Sequence, residues 1–235
     1  MKDILKIILD ILYPGKCPVC HKIPENTENM ICKSCWSRLD FVGKNYCMKC
    51  GKPVLQEEEY CEECGRRRRN FTQGRSLLIY NETMKASMIR FKYGGRRQYG
   101  DFYARLICMF GKKQILEWNP DLILPVPLHR RKKSARGFNQ AEYLAKKIGK
   151  KLGIPVASHV LKKVKNTRSQ KKLDAEKRRK NLRNAFAANE DFTGLKILII
   201  DDVYTTGSTM DEIALVLKEK GAEKVYFFTI CTGYN

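Results

Sequence analysis

The sequence predicts an α/β protein: a parallel-sheet domain over residues 71–235, preceded by a small cysteine-rich module over residues 1–70. Three observations carry this reading. Four CxxC pairs all fall before residue 65. From residue 75 onward, apolar runs of strand length alternate with segments of helical period, the pattern of a parallel sheet joined by crossover helices. The run Arg66-Arg67-Arg68-Arg69 separates the two halves and places the boundary near Phe71. A chain of 235 residues, 43% of them hydrophobic, is long enough for one medium domain and one small one.

At the amino terminus, Ile4, Ile8 and Ile11, with Leu5 and Leu12, share one helical face. Asp3 and Asp10 interrupt the stretch and no small-residue cleavage site follows, which argues against a signal peptide. The segment is expected to dock on the protein's own metal module or on a partner. Shallow membrane attachment is the weaker alternative, because one short helix with few basic residues anchors poorly. Further along, Ser76–Tyr80 reads as a strand, and Glu82–Lys92 and Asp101–Phe110 as helices. Leu122–Val126 is an apolar strand between prolines. Pro127 to Phe138 reads as a basic loop, and Asn139–Lys151 as a helix broken by Gly153-Ile154-Pro155. Val156–Val164 is a strand candidate, and residues 165–190 form a long charged loop with some helix. Ile197–Ile200 is a buried strand, Ser208–Lys220 a helix ended by Gly221, and Val225–Ile230 the last strand.

The cysteine pairs are Cys17/Cys20, Cys32/Cys35, Cys47/Cys50 and Cys61/Cys64. Two thiolates at this spacing grip one side of a tetrahedral ion and a second pair closes the other side, so eight thiolates make two closed structural zinc sites. Sequential pairing is expected; a cross-braced arrangement would use the same residues. A lone redox dithiol needs one CxxC rather than four, and an iron–sulfur cluster fits paired knuckles less well. Cysteine used this way implies a reducing compartment. A module this small would scarcely fold without its metals. Trp36, Phe41, Tyr46 and Phe71 lie among the knuckles near Lys33, Arg38 and Lys44. They can be read as the module's small core or as a stacking platform for single-stranded nucleic acid. Cys108 and Cys231 sit in apolar patterns as core residues.

The net charge of +21 favours polyanionic partners. It is concentrated: His129 to Arg183 holds 20 Lys/Arg against 3 Asp/Glu. No stretch is long enough to span a bilayer.

The stretch KILIIDDVYTTGSTMDE, Lys196–Glu212, carries the chemistry. A strand feeding a short loop and then a helix makes an anion site from loop amides, free helical N–H groups and the helix dipole. Thr205, Thr206, Gly207, Ser208 and Thr209 suit a phosphate monoester. The loop is not a P-loop, since no GK[ST] follows. Ser208 with Asp211 also fits a plain helix cap, which leaves Asp201-Asp202 unexplained. Carboxylates beside a phosphate cradle accept hydrogen bonds from sugar hydroxyls and help hold hydrated Mg²⁺. The ligand this suggests is a phosphorylated sugar with vicinal hydroxyls.

IIDDVYTTGST resembles the phosphoribosyl-pyrophosphate motif of type I phosphoribosyltransferases. The resemblance implies that Asp201 and Asp202 hold the ribose hydroxyls and that Thr205 to Thr209 cradle the 5-phosphate. Thr205 departs from the purine-salvage branch, which often has an aspartate there; this counts against purine-base salvage of that type. Together with LPVPLHRRKKSARGFNQAEYLAKKIG and the cysteine pairs, the motif is similar to the ComF/GntX-like family, nearly over the whole chain. That resemblance implies a double zinc-ribbon module on a type I phosphoribosyltransferase-like domain, Mg²⁺ with phosphoribosyl pyrophosphate, and cytoplasmic work on incoming single-stranded DNA with a helicase-like partner, with peripheral membrane contact as an alternative. It places pyrophosphate on Pro127 to Phe138, where Arg130, Arg131 and Arg136, with Lys132 and Lys133, supply charge. It also places a closing catalytic loop on residues 166–186, with Arg168, Gln170 and Arg178 as candidates; that loop reads equally as a contact to DNA phosphates.

His21 could replace a cysteine ligand, although eight cysteines suffice; His129 borders the pyrophosphate loop and His159 reads as a strand surface residue. Three functions remain open: displacement of pyrophosphate from ribose C1 in a protein of DNA uptake, a non-catalytic sensor of phosphoribosyl pyrophosphate or a nucleotide that also binds DNA, or a nucleotide-salvage phosphoribosyltransferase unrelated to DNA.

Overall fold

The structure, a computed structural model, describes residues 14–25, 30–165 and 181–233. The amino-terminal helical pattern and Arg168, Gln170 and Arg178 lie outside these residues. Two short helices, α1 (Lys33–Trp36) and α2 (Glu62–Arg66), belong to the cysteine segment. Then follow β1 (Gln73–Ile79), α3 (Glu82–Tyr93), α4 (Tyr99–Phe110), α5 (Lys112–Trp118), β2 (Leu122–Pro125), α6 (Arg130–Arg136), α7 (Gln140–Leu152), β3 (Leu161–Lys163), β4 (Phe186–Ala188), β5 (Lys196–Tyr204), α8 (Ser208–Glu219) and β6 (Lys224–Thr232).

The four long strands form a parallel sheet in the order β1-β6-β5-β2. β5 lies inside it, with Ile199 opposite both Leu124 and Phe227. Successive side chains of a strand face opposite ways, and β5 is apolar on both faces because both are covered. Leu198 and Ile200 join the core under α3, α4 and α7. Ile197 and Ile199 join the core under α8. Truncating one of these fully buried residues to Ala would cost about 2–5 kcal/mol. The helices end where their sequences demand. Asn81 and Asn139 cap α3 and α7 with side-chain oxygens, and Gly153 leaves α7 in the left-handed region at φ 73°.

Three expectations need correction. The basic stretch after β2 is not all loop: Arg130–Arg136 is a helix, entered through His129, whose Nδ1 accepts from Arg131 N, and closed by Gly137 at φ 77°. Arg, Lys and Ala are good helix formers, and the cap and the glycine fix its ends. The strand expected over Val156–Val164 is broken. Val156 makes a single parallel bridge to Ile123, the chain bends, His159 is exposed in that bend, and only Leu161–Lys163 forms a strand, antiparallel to Phe186–Ala188. The strand before the threonines runs on through the acidic pair to Tyr204. A further helix, α5, was not expected at all.

The cysteine segment is built twice from one pattern. In the first turn, Cys17 N donates to Lys22 O and His21 N to Cys17 O; in the second, Cys47 N donates to Lys52 O and Gly51 N to Cys47 O. His21 and Gly51 take the same left-handed position, φ 66° and 72°. Cys32 and Cys61 then open α1 and α2 as extended N-caps. The segment lies along the edge of β1: Gly74 N donates to Lys49 O, Ile79 N to Asp40 O, and Val42 N to Leu77 O. That edge would otherwise be open to pairing with another chain. The contact is close, since a Cβ on Gly51 would sit 2.7 Å from the Arg75 Cα. The first cysteine cluster joins the α4 face of the sheet and the second joins the α8 face. Cys108 and Cys231 are buried core residues.

Candidate metal centres and anion cavity

The eight cysteines gather as Cys17, Cys20, Cys32, Cys35 and as Cys47, Cys50, Cys61, Cys64, each set with its sulfurs within 4.8 Å of one another. The pairing is sequential. Cys20 and Cys32 sulfurs are 3.7 Å apart, and Cys50 and Cys61 sulfurs 3.6 Å. A disulfide would bring sulfurs to about 2 Å, whereas a zinc tetrahedron with Zn–S of about 2.3 Å has edges of about 3.8 Å. Both clusters therefore fit zinc, in closed structural sites. His21 is no ligand in either set. Its Nδ1 is 2.5 Å from the Tyr99 hydroxyl, and its positive φ does the work that glycine does in the second turn.

A cavity of about 650 Å³ opens at the carboxyl ends of the strands, where open parallel sheets hold their ligands. Its floor is Asp201 and Asp202 at the end of β5. Thr205, Gly207 and Thr209 form one wall. Opposite, α3 contributes Lys85 and Lys92, α6 contributes Lys132 and Arg136, and β3 contributes Lys163. Five cations thus surround two carboxylates, an imbalance that favours a polyanion.

Each charge has a traceable environment. Lys92 Nζ lies 2.8 Å from Asp202 Oδ1. Burial works against that ammonium, and the Asp202 carboxylate more than offsets it, so the pKa of Lys92 is raised. Burial and the neighbouring Asp202 charge hold the Asp201 carboxyl up, to about 7, although Oδ1 accepts from the Asp202 backbone N–H at 2.8 Å. Burial, then Lys132, pushes the Lys163 ammonium down to about 8. Arg136 is fixed by hydrogen bonds to the Tyr93 hydroxyl at 2.9 Å and Gln140 Oε1 at 3.1 Å.

The turn into α8 is shaped by Gly207. It has φ 75°, a region costly for any residue with a Cβ, and an added Cβ would lie 2.4 Å from the Tyr204 hydroxyl. No side chain caps α8, in contrast to α3 and α7. Its first N–H groups have no helical acceptor and adjoin the cavity, a ready anion site. The Thr206 and Ser208 hydroxyls are 3.0 Å apart and hydrogen-bond each other.

Of the residues expected from sequence, Asp201, Asp202, Thr205, Gly207, Thr209 and Arg136 share the cavity; Thr206 and Ser208 belong to the same turn without lining it. Arg130 and Arg131 are exposed on α6 and are not cavity residues. Lys85, Lys92, Tyr93 and Lys163 went unseen in the sequence, as did Tyr80. Of the aromatics among the knuckles, Phe71 is fully buried against Phe227, whereas Trp36 remains 39% exposed. Among the described residues no helix is long and apolar enough to cross a membrane.

Comparison with known proteins places these features together. Residues 8–65 match the double zinc ribbon domain and residues 134–234 the phosphoribosyl transferase domain. The chain is 29% identical to Competence protein F of Haemophilus influenzae, over 89% of this chain and 93% of that protein. It is 30% identical to DNA utilization protein YhgH of Salmonella typhimurium, over 94% and 98%. It is also 30% identical to Competence protein ComFC of Bacillus subtilis, over 86% and 84%. Among solved structures, a purine phosphoribosyltransferase from Pyrococcus horikoshii aligns with a TM-score of 0.37 and 16% identity, over 56% of this chain and 83% of that one. With two four-cysteine clusters ahead of a phosphoribosyl transferase domain, and relatives matched over most of their length, this chain belongs to the ComF/GntX-like family.

Proposed function

We propose that the chain binds phosphoribosyl pyrophosphate with Mg²⁺ in this cavity and acts in DNA uptake, as a type I phosphoribosyltransferase in contact with single-stranded DNA. The observation that carries this reading is the meeting of a carboxylate pair, an uncapped helix N-terminus and five cations in one cavity. Asp201 and Asp202 accept from the ribose hydroxyls. The turn from Thr205 to Thr209 donates to the 5-phosphate, and Lys132, Arg136 and Lys163 meet the pyrophosphate. The donor set suits a hard divalent cation: an acidic pair in which burial and the neighbouring Asp202 charge hold the Asp201 carboxyl up to about 7, a cost that a bound cation would relieve. Bound there, Mg²⁺ would neutralise pyrophosphate charge. The protein's own contribution is position and electrostatics: carboxylates hold the sugar while cations stabilise the departing pyrophosphate. Arg168 belongs to the segment proposed to close over the site. In this reading residues 1–70 hold metal and residues 71–235 hold the ligand.

The DNA role rests on the names of the relatives, Competence protein F and DNA utilization protein YhgH, and on the +21 charge. A cluster of Trp36, Phe41 and Phe110, with ring centroids 5.1–6.2 Å apart, offers a surface for unpaired bases. A helicase-like partner would deliver the strand.

The test is calorimetric binding of phosphoribosyl pyrophosphate with and without Mg²⁺, followed by a screen of bases and nucleotides for pyrophosphate release. Binding with release supports the enzyme; binding without release from any acceptor leaves a sensor. Absence of binding would sink the cavity assignment. For DNA, affinity should fall with salt by about 0.7 log units per log unit of salt for each phosphate contacted, and a flat response would remove the basic surface as the contact.

A further inference from the structure

The second cysteine cluster lies directly behind the anion turn. Tyr204 ends β5 and is 2% exposed. Its ring stacks on Phe227 at 4.8 Å. One side of its hydroxyl meets Gly207 of the turn, and the Cys50 sulfur is close enough to act on the same hydroxyl. The segment leaving Cys64 closes a second link. Asn70 N donates to Asp211 Oδ1 at 2.7 Å and Asn70 Nδ2 to Asp211 O at 3.2 Å. Arg67 and Arg69 reach Asp211 Oδ2 at 3.4 and 3.9 Å. Asp211 is in the first turn of α8, and its N–H donates to Gly207 O at 2.9 Å. Among the described residues, the partners that fix this carboxylate thus come from the stretch joining the metal module to β1.

Arg69 is the critical member. Its side chain is 1% exposed. Nη2 donates to Glu63 Oε2 at 2.7 Å, but Nε and Nη1 have no hydrogen-bond partner, and Cys64 is close enough to act on the guanidinium. A buried cation with unused donors needs anionic company. A zinc ion with four thiolates carries a net negative charge, which four neutral thiols do not.

We propose that Arg69 is a positioning residue that transmits occupancy of the second four-cysteine site to the anion turn, so that metal there orders Thr205–Asp211 and strengthens binding of a 5-phosphate. The ligand half rests on the cavity reading above; the ordering half does not. With metal bound, thiolate charge holds Arg69, Arg69 and Asn70 hold Asp211, and Asp211 holds the first turn of α8. Without it, Arg69 loses that charge, and the turn loses its support from both Asp211 and Tyr204. Such coupling between sites is reciprocal, so the phosphate ligand also tightens metal retention.

The experiment uses the full zinc-loaded chain and two variants that keep all eight cysteines, Arg69→Met and Asp211→Asn, with Arg66→Met on the exposed side of α2 as control. Hydrogen exchange of the ligand-free proteins is read over residues 204–213. Faster exchange in Arg69→Met and Asp211→Asn, with Arg66→Met unchanged and all variants retaining two zinc ions per chain, is the expected result. Unchanged exchange in both variants overturns the coupling whatever the ligand. Titration with ribose 5-phosphate should then show about a tenfold loss of affinity in Arg69→Met, while inorganic pyrophosphate, held at the far side of the cavity, stays within about twofold. Equal losses for both probes would mean general damage and refute the positioning role. If exchange responds but the unmodified protein binds neither probe, the coupling stands and the cavity reading falls.

Discussion

Lys92 Nζ lies 2.8 Å from Asp202 Oδ1, and this ion pair puts the two adjacent carboxylates of β5 in different surroundings. Asp202 has a cation; Asp201 is half-buried beside a like charge and keeps its proton to about 7. Replacing Lys92 with Met removes the cation and leaves two charges in one partly buried site. Breaking a fully buried pair costs about 3–5 kcal/mol; with side chains 20% and 11% exposed, solvent lowers this to about 1–3 kcal/mol. Urea unfolding at pH 8 should show that loss. At pH 5, where Asp201 is protonated, the loss should shrink. Equal losses at both pH values would mean the pair does not set the charge state of the site.

Asp201 gives a second prediction through its proton. In the unfolded chain its pKa is about 4; in the folded chain it is about 7. Between these values the folded state binds more protons than the unfolded state, so stability falls as pH rises from about 4 through 7. Asp201→Asn removes that cost while its amide oxygen can still accept from Asp202 N. At pH 8 it should melt about 2–4 °C higher, the shift for about 1 kcal/mol in a chain of this size. The double change Asp201→Asn, Asp202→Asn should abolish sugar-phosphate binding with zinc content unchanged. In the unmodified protein, affinity for phosphoribosyl pyrophosphate should rise through about pH 7 as Asp201 ionises and decline above about 8 as Lys163 loses its proton. Calorimetry across pH 6 to 9 reads both limbs, and a monotonic profile would contradict one of the two assignments.

Gly207 is constrained twice, by its φ of 75° and by the Tyr204 hydroxyl 2.4 Å from where a Cβ would stand. Gly207→Ala should therefore cost more than the 1–2 kcal/mol of the backbone region alone. Tyr204→Phe removes the hydroxyl but leaves Cζ, at 2.9 Å. The double variant should be less unstable than the sum of the singles, because part of the clash is gone; such neighbours couple by about 0.5–3 kcal/mol. Denaturation of the four proteins closes the cycle, and strict additivity would show that the hydroxyl does not limit the turn.

What the sequence reveals and conceals follows from locality. KILIIDDVYTTGST is one uninterrupted strand, turn and helix start, so its apolar run, acids and glycine all declare themselves within a few residues. The cysteine clusters are equally local, since CxxC spacing makes half of each tetrahedron. Lys92 and Lys163 are different. Each is one lysine among many in a chain with 46 Lys and Arg, and only the packing of α3 and the short antiparallel pair β3–β4 brings them to Asp202 and Asp201. α6 was concealed by its charge, because a basic run after a proline reads as a loop; its signal was Gly137, eight residues past His129, as a C-cap. His21 looked like a spare ligand because the sequence does not show that its φ is positive, although Gly51 at the matching place in the second turn carried that information.

Metal removal supplies the last prediction. Cys17, Cys47 and Cys50 are 0% exposed, and the two clusters sit in the two cores on opposite faces of one sheet. The clusters thus support the edge of β1 from both sides, and β1 in turn is hydrogen-bonded to β6. If the cysteine module were an independent appendage, chelation would abolish one small transition and leave a second, larger one untouched. Shared cores require instead that stripping zinc destabilise the sheet domain as well. Calorimetry of the zinc-loaded chain should show one cooperative transition, shifted by 10 °C or more when a strong chelator is present, since structural zinc binding contributes on the order of 10 kcal/mol to small modules and only part of that need reach the sheet. An unshifted main transition after complete zinc loss would show that the β1 edge holds without the module, and would separate the two halves that the packing here joins.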